Sequence, residues 1–119
     1  MMSKKLVRFG VNPPAIEEGK PTTVLAGNPV TKLQNYYSDP TGQFFAGVWE
    51  SAPGKWAVNY TEEEFCTFLT GKAILTGEDG TSETFVTGDA FIIPRGFKGT
   101  WETIEPVKKW YVIFEPKGA

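Results

Sequence analysis

The sequence predicts one all-β domain, a sandwich or closed barrel of roughly ten short strands. Three observations carry that expectation. Apolar and β-branched runs recur about every ten residues, which is the spacing of short strands in all-β folds. Turn chemistry of the right type separates most of them, and only one segment offers a helical pattern. The rings suit the same class: nine Phe, four Trp and four Tyr pair well across strands and fill an interior. A chain of 119 residues is one domain with a modest core, so residues 1–119 are taken as a single unit.

In chain order, a run at 6–11 is stopped by Asn12-Pro13-Pro14. Runs at 22–25 and 31–37 follow, divided by Gly27-Asn28-Pro29. The run 43–50 (QFFAGVWE) is bracketed by Asp39-Pro40-Thr41-Gly42 and Pro53-Gly54. Then come 55–60, 64–69, 73–76, 84–86, 90–93, 99–104 and 109–115, with Glu78-Asp79-Gly80 and Thr87-Gly88-Asp89 as turns. The helical rival is 61–69, where Thr61 and Glu64 have capping-box spacing. Strand is preferred because Trp56, Val58 and Tyr60 alternate before it, Gly71 closes it too soon, and Phe65, Thr67 and Phe68 favour strand. Trp110-Tyr111-Val112-Ile113-Phe114 is apolar on both faces and must be covered on both. It is either central or set against a second copy, so a homodimer is expected, with residues 1–30 as candidates for the contact.

Charge excludes several partners. The net charge is −2 with acids and bases interleaved, and the longest like-charged run is Glu62-Glu63-Glu64, so neither nucleic acid nor an anionic membrane is expected. No apolar segment approaches the ~20 residues of a membrane helix. The opening MMSKKLVRFGVNPP lacks the apolar stretch and cleavage site of a signal peptide. One cysteine, Cys66, has no internal disulfide partner and fits a reducing cytoplasm.

Two motifs narrow the class. Gly88-Asp89-Ala90-Phe91-Ile92-Ile93-Pro94-Arg95-Gly96 reads as a glycine turn into a buried strand, ended and redirected by Pro94 and Gly96. Upstream, Glu64 is followed by six residues and Gly71, and sixteen residues separate Gly71 from Gly88. Both patterns resemble the cupin motifs, G-x(5)-H-x-H-x(3,4)-E-x(6)-G and G-x(5)-P-x-G-x(2)-H-x(3)-N. The stretch 43–115 is similar to the small cupins that include the ethanolamine-utilisation cupin and relatives of ureidoglycine aminohydrolase. Its most specific part is Gly47-Val48-Trp49-Glu50 together with Lys109-Trp110-Tyr111. The resemblance implies an RmlC-like jelly-roll β-barrel.

It also implies where metal ligands belong, and there the chain departs from the family. The three histidine positions fall at Val58, Tyr60 and Gly99, the chain contains no histidine, and only Glu64 of the usual set remains. With Cys66 two residues on, two ligands at most are present, short of what a transition metal needs, so no metal and no cofactor are expected. What remains implies a pocket opened by Gly99, walled by Tyr60, Trp101 and Phe91 or Ile93, with Tyr111 and Lys109 on one side of the last strand and Glu64 as polar anchor. Trp49, Trp56 and Trp101 read first as core or rim packing, which is the commoner role of such rings, and second as ligand platforms. Cys66 reads as a small buried hydrophobe. A carboxylate inside a barrel demands a partner or a use, and Lys109, Arg95, Tyr60 and Tyr111 are the candidate partners for Glu64.

Three functions are open to such a chain. It binds a small polar metabolite through Tyr60, Glu64, Phe91, Gly99, Trp101 and Tyr111. Alternatively it is a metal-independent isomerase, epimerase or hydrolase of a small nitrogenous metabolite, with Glu64 as general acid or base assisted by Tyr60 and Lys109. The third reading is a dimeric scaffold.

Overall fold

The computed structural model describes residues 4–117, so the ends of the expected 1–119 domain, 1–3 and 118–119, lie outside the described residues. Nine strands form: β1 (Glu17–Gly19), β2 (Val24–Gly27), β3 (Thr31–Ser38), β4 (Phe44–Ser51), β5 (Gly54–Asn59), β6 (Glu63–Gly77), β7 (Ser82–Val86), β8 (Ala90–Ile93) and β9 (Lys98–Phe114). All pair antiparallel, in the order β1-β3-β4-β9-β5-β2, while β6 pairs with β7, β8 and β9. No helix forms among the described residues, so none is long and apolar enough to cross a membrane.

β9 is the spine. Its first half lies between β5 and the end of β6, and its second half between β4 and the start of β6. The sheet therefore curls on itself into a barrel, and inward positions alternate along the strands as the two-residue period requires. Along β6 the buried positions are Glu64, Cys66, Phe68, Ala73 and Leu75; along β9 they are Trp101, Thr103, Val107, Lys109 and Tyr111.

Two pairs of expected runs fuse. The runs 64–69 and 73–76 are one strand, β6, and 99–104 and 109–115 are one strand, β9. Each is bent rather than broken. Gly71, at φ +107°, lies where the β6–β9 register slips, with Pro106 across from it. A Cβ on Gly71 would collide with the Pro106 carbonyl oxygen and stand 2.7 Å from Val107 Cα. This bulge lets a proline sit inside a strand without losing a ladder hydrogen bond.

The run 6–11 forms no strand. Phe9 instead lies against the outside of the sheet, stacked on Tyr36 at 4.8 Å and edge-on to Trp110 at 6.0 Å. β1 was not expected, because Glu17-Glu18-Gly19 carries no β pattern; it exists by pairing with Thr31–Leu33. The segment 110–114 is central, between β4 and β6, yet its outward Trp110 and Phe114 remain 44% and 45% exposed.

Gly99 pairs with Val58 on one side and Gly77 on the other, and a Cβ there would collide with the Thr76 carbonyl oxygen and stand 2.9 Å from Gly77 Cα. Gly99→Ala is expected to cost about 3 kcal/mol in urea unfolding through overpacking. Gly80→Ala, where a Cβ meets nothing and only the φ of +87° is strained, is expected to cost about 1–2 kcal/mol. Equal losses at the two positions would show that close approach at Gly99 does not matter.

Candidate functional site

The register of β9 assembles the site. Trp101 pairs with Trp56 and Leu75, Lys109 with Trp49 and Phe68, Tyr111 with Gly47 and Cys66, and Ile113 with Phe45 and Glu64. Neighbours in register share a face, so Trp49, Trp56 and Trp101 converge on the lumen. Trp56 stacks on Trp101 at 6.0 Å and 18°, and Trp49 meets Trp101 edge-on at 5.4 Å. Trp101 is further fixed by its Nε1, which donates to Thr103 Oγ1 at 2.9 Å; that hydroxyl donates in turn to Ser51 Oγ at 3.1 Å.

At the floor lies an ion pair. Lys109 Nζ donates to Glu64 Oε2 at 2.7 Å, with the residues 4% and 5% exposed. The ammonium also contacts Cys66 Sγ at 3.3 Å, and the thiol donates to Glu64 Oε2 at 3.2 Å. Two indoles complete its surroundings, with ring centroids 4.6 Å (Trp49) and 4.7 Å (Trp101) from Nζ. Such contacts strengthen when water is excluded.

Burial alone would pull the Lys109 ammonium down, but the negative charge available at Cys66, Glu64 and Tyr60 more than offsets it and holds the group above the usual lysine range. Of those partners, Glu64 is the one that acts at neutral pH, because burial pushes the Cys66 thiol up to about 12 and raises the Tyr60 phenol above its ordinary range. Burial raises the Tyr111 phenol as well.

A cavity of about 530 Å³ opens above the pair, lined by Trp49, Trp56, Trp101, Tyr60, Tyr111, Phe45, Leu33 and Ile113, with Glu64 and Lys109 at its base. Glu17 and Ser38, both exposed, mark its solvent side. Tyr111 Oη donates to Asn35 Oδ1 at 2.8 Å, and Asn35 Nδ2 donates to Ser38 Oγ at 2.8 Å. Among the described residues, neither Glu64 Oε1 nor the Tyr60 hydroxyl has a protein hydrogen-bond partner, and both side chains line the cavity.

Tyr60, Glu64, Trp101, Lys109 and Tyr111 thus come together in one chamber. Phe91 and Gly99 do not. Phe91 stacks on Phe85 at 3.7 Å and lines a separate cavity of about 260 Å³, because β8 pairs with Glu64–Thr67 along the edge of β6 opposite β9. Gly99 opens nothing: its missing Cβ admits the β6 backbone instead of a ligand. Gly47 makes two close approaches: a Cβ there would collide with the Gln34 carbonyl oxygen of β3 and would lie 2.6 Å from Tyr111 Oη. Asn35 and Ser38 were also missed, since only the β3–β4 register brings them near β9. Trp49 and Trp56, read first as packing, both pack in the core and line the cavity. Of the candidate partners for Glu64, Lys109 is the one it meets; Arg95 instead offers its backbone N–H to Glu63 Oε1.

The donor set does not fit a divalent metal. The family's histidine positions hold Val58, Tyr60 and Gly99, which leaves Glu64 and Cys66 as two donors at most, and the Glu64 oxygen nearest the floor is held by an ammonium. No group of three His, Cys, Asp or Glu able to hold a metal occurs among the described residues.

A curled antiparallel barrel with these two motifs at its turns is a cupin. The model of the EutQ-like cupin domain matches residues 38–111, and the chain belongs to that family. No curated protein matches. A protein of unknown function from Pseudomonas syringae pv. tomato superposes with TM-score 0.72 at 24% identity, over 92% of this chain and 44% of its own length, so this chain spans less than half of it. The putative ethanolamine utilization protein q of Salmonella typhimurium gives TM-score 0.66 at 17% identity, over 95% of this chain and 100% of the other. A protein from Thermotoga maritima, of a family of unknown function, is 34% identical over 54% of this chain and 73% of its own, with TM-score 0.53.

Removing one member of the buried pair strands the other charge. Lys109→Met is expected to lower stability by about 3–5 kcal/mol, with much of the loss recovered in the Glu64→Leu/Lys109→Met double variant. A double-mutant cycle in urea measures both. The pH dependence has one sign throughout. In an unfolded chain the thiol titrates near 8.5, against about 12 in the fold, so its contribution is whole below about pH 8.5 and is lost as pH rises towards 12. Lys109, Tyr60 and Tyr111, all raised, add in the same direction. The melting temperature is therefore expected to fall above pH 9. A melting temperature that holds from pH 9 to 11 would contradict the burial of these groups.

Proposed function

We propose that the chain is a small-molecule-binding cupin whose aromatic chamber takes up one small polar metabolite. The observation that carries this is the cavity of about 530 Å³, with a largely aromatic wall and two unpartnered polar groups, Glu64 Oε1 and the Tyr60 hydroxyl, facing it. That is the usual makeup of a ligand site: apolar walls for affinity and a few placed polar groups for orientation. The likeness to the Salmonella ethanolamine utilization protein, at 17% identity, lends the fold and no substrate.

The reading as a metal-independent enzyme has less support. A general acid or base works best with a pKa near the operating pH. Here the thiol, both phenols and the ammonium are pushed up and away from neutrality, and Glu64 is tied to Lys109 at 2.7 Å. A homodimer is favoured by the outer face, where Phe65, Ile92, Phe114 and Phe44 are exposed and connected by register. A stable pairing buries about 800 Å² per partner, and such a stripe supplies its apolar centre.

A thermal-shift screen of small metabolites tests the binding reading, since a ligand at 100 times its Kd adds about 2.7 kcal/mol of stability. A hit is expected to change tryptophan fluorescence and to lose most of its affinity in Trp49→Ala. A ligand bound equally by Trp49→Ala sits elsewhere, and a broad screen without a hit overturns the proposal.

A further inference from the structure

Resting on the proposed binding role, we infer that the chamber selects an uncharged, hydroxyl-rich ring, a neutral monosaccharide or cyclic polyol, over its cationic and anionic counterparts. The floor decides the charge. Trp49 and Trp101 form the kind of cage that takes a ligand cation, but that place is filled from within by Lys109, 4.6 and 4.7 Å from the two rings. An anion would turn to Lys109, but its charge is matched by Glu64 at 2.7 Å. A charged ligand group reaching the floor would give up its water to meet a pair that is already neutral, which is unfavourable on either sign. Glu17, the further charge on the cavity, is exposed on the solvent side, where water and salt screen it.

The remaining chemistry selects the shape. Glu64 Oε1 is a free acceptor, and the Tyr60 hydroxyl donates or accepts. Towards solvent lies the Tyr111–Asn35–Ser38 chain, with a lone pair left on each hydroxyl. Polar groups therefore line the cavity from floor to mouth, while indole faces form the wall between them. The complementary ligand has hydroxyls around its rim and a flat C–H face, which gains dispersion against the rings. A hydroxyl both donates and accepts, so it answers Glu64 Oε1 and Tyr60 at once; a carboxylate answers Tyr60 alone, and an ammonium, which can donate to both, brings an uncompensated charge to a floor that is already neutral.

A matched series tests this: neutral hexoses and inositols, 2-amino-2-deoxyhexoses and hexuronates, titrated calorimetrically and by tryptophan quenching. A neutral member is expected to bind at least tenfold tighter than its charged counterparts. Changing the floor should change the choice: Lys109→Gln, which leaves Glu64 charged, should move preference towards the amino sugar, and Glu64→Gln towards the uronate. Should either variant fail to fold, the wild-type series still decides. Charged members binding as tightly as neutral ones would overturn the inference. So would a series with no binder; if amines, carboxylates or amides then bind in the chamber, the broader binding role stands, and if nothing binds, both fall.

Discussion

An ion pair buried at the bottom of a barrel constrains everything above it. Taking a carboxylate and an ammonium out of water costs several kcal/mol per ion, and the return depends on geometry and on every remaining proton and lone pair having a place. The Glu64–Lys109 pair has such a setting, with a 2.7 Å contact, a thiol that donates to one partner and accepts from the other, and two indoles against the ammonium. The pair spans β6 and β9 and therefore ties the two longest strands at one register. A slip of one residue would turn Lys109 outward and Trp110 inward, exposing the charge and closing the chamber with an indole.

The long strands set an open chamber on one side and a packed cluster on the other. At the Gly71–Pro106 bulge, β9 stops being paired as it is with β4 and comes beside β5. On the β7–β8 side of β6, Phe68, Phe85 and Phe91 pack ring to ring beside the smaller cavity. On the β4–β5 side the chamber wall is built across the bulge, with Trp49 from one side of it and Trp56 and Trp101 from the other.

Much of this was legible in particular residues. Strand content followed from alternation and turn residues, and the glycine-proline punctuation from 88 to 96 located the turns, with Gly88 and Gly96 both at positive φ. Tyr60 and Glu64 were placed in the chamber by the resemblance, which puts the family's ligand positions there, and the two-residue period added Trp101 from Gly99 and set Tyr111 on one face with Lys109. What local pattern could not show was pairing. Whether a glycine admits a ligand or a neighbouring strand depends on what lies across from it, which is why Gly99 was misread and Gly47 overlooked. Asn35 and Ser38 belong to the chamber only through the β3–β4–β9 ladder, and Phe91 leaves it because β8 pairs beyond the outer side of β6. Both are facts of long-range register, absent from any ten-residue window.

The substitutions at the family's ligand positions are coherent once Lys109 is seen beside Glu64. A carboxylate that remains after its imidazole partners are gone is an unpaired buried charge, and the barrel holds it only if another cation takes their place. Lys109 does so from the facing strand. The exchange alters what the floor offers. A metal centre recognises by open coordination positions, whereas an ammonium saturated by a carboxylate, a sulfur and two rings offers none. What faces the cavity instead is the unpartnered oxygens of Glu64 and Tyr60 and the indole wall. On the proposed binding role, fit and hydrogen bonding, rather than ligand charge, would then decide what stays bound.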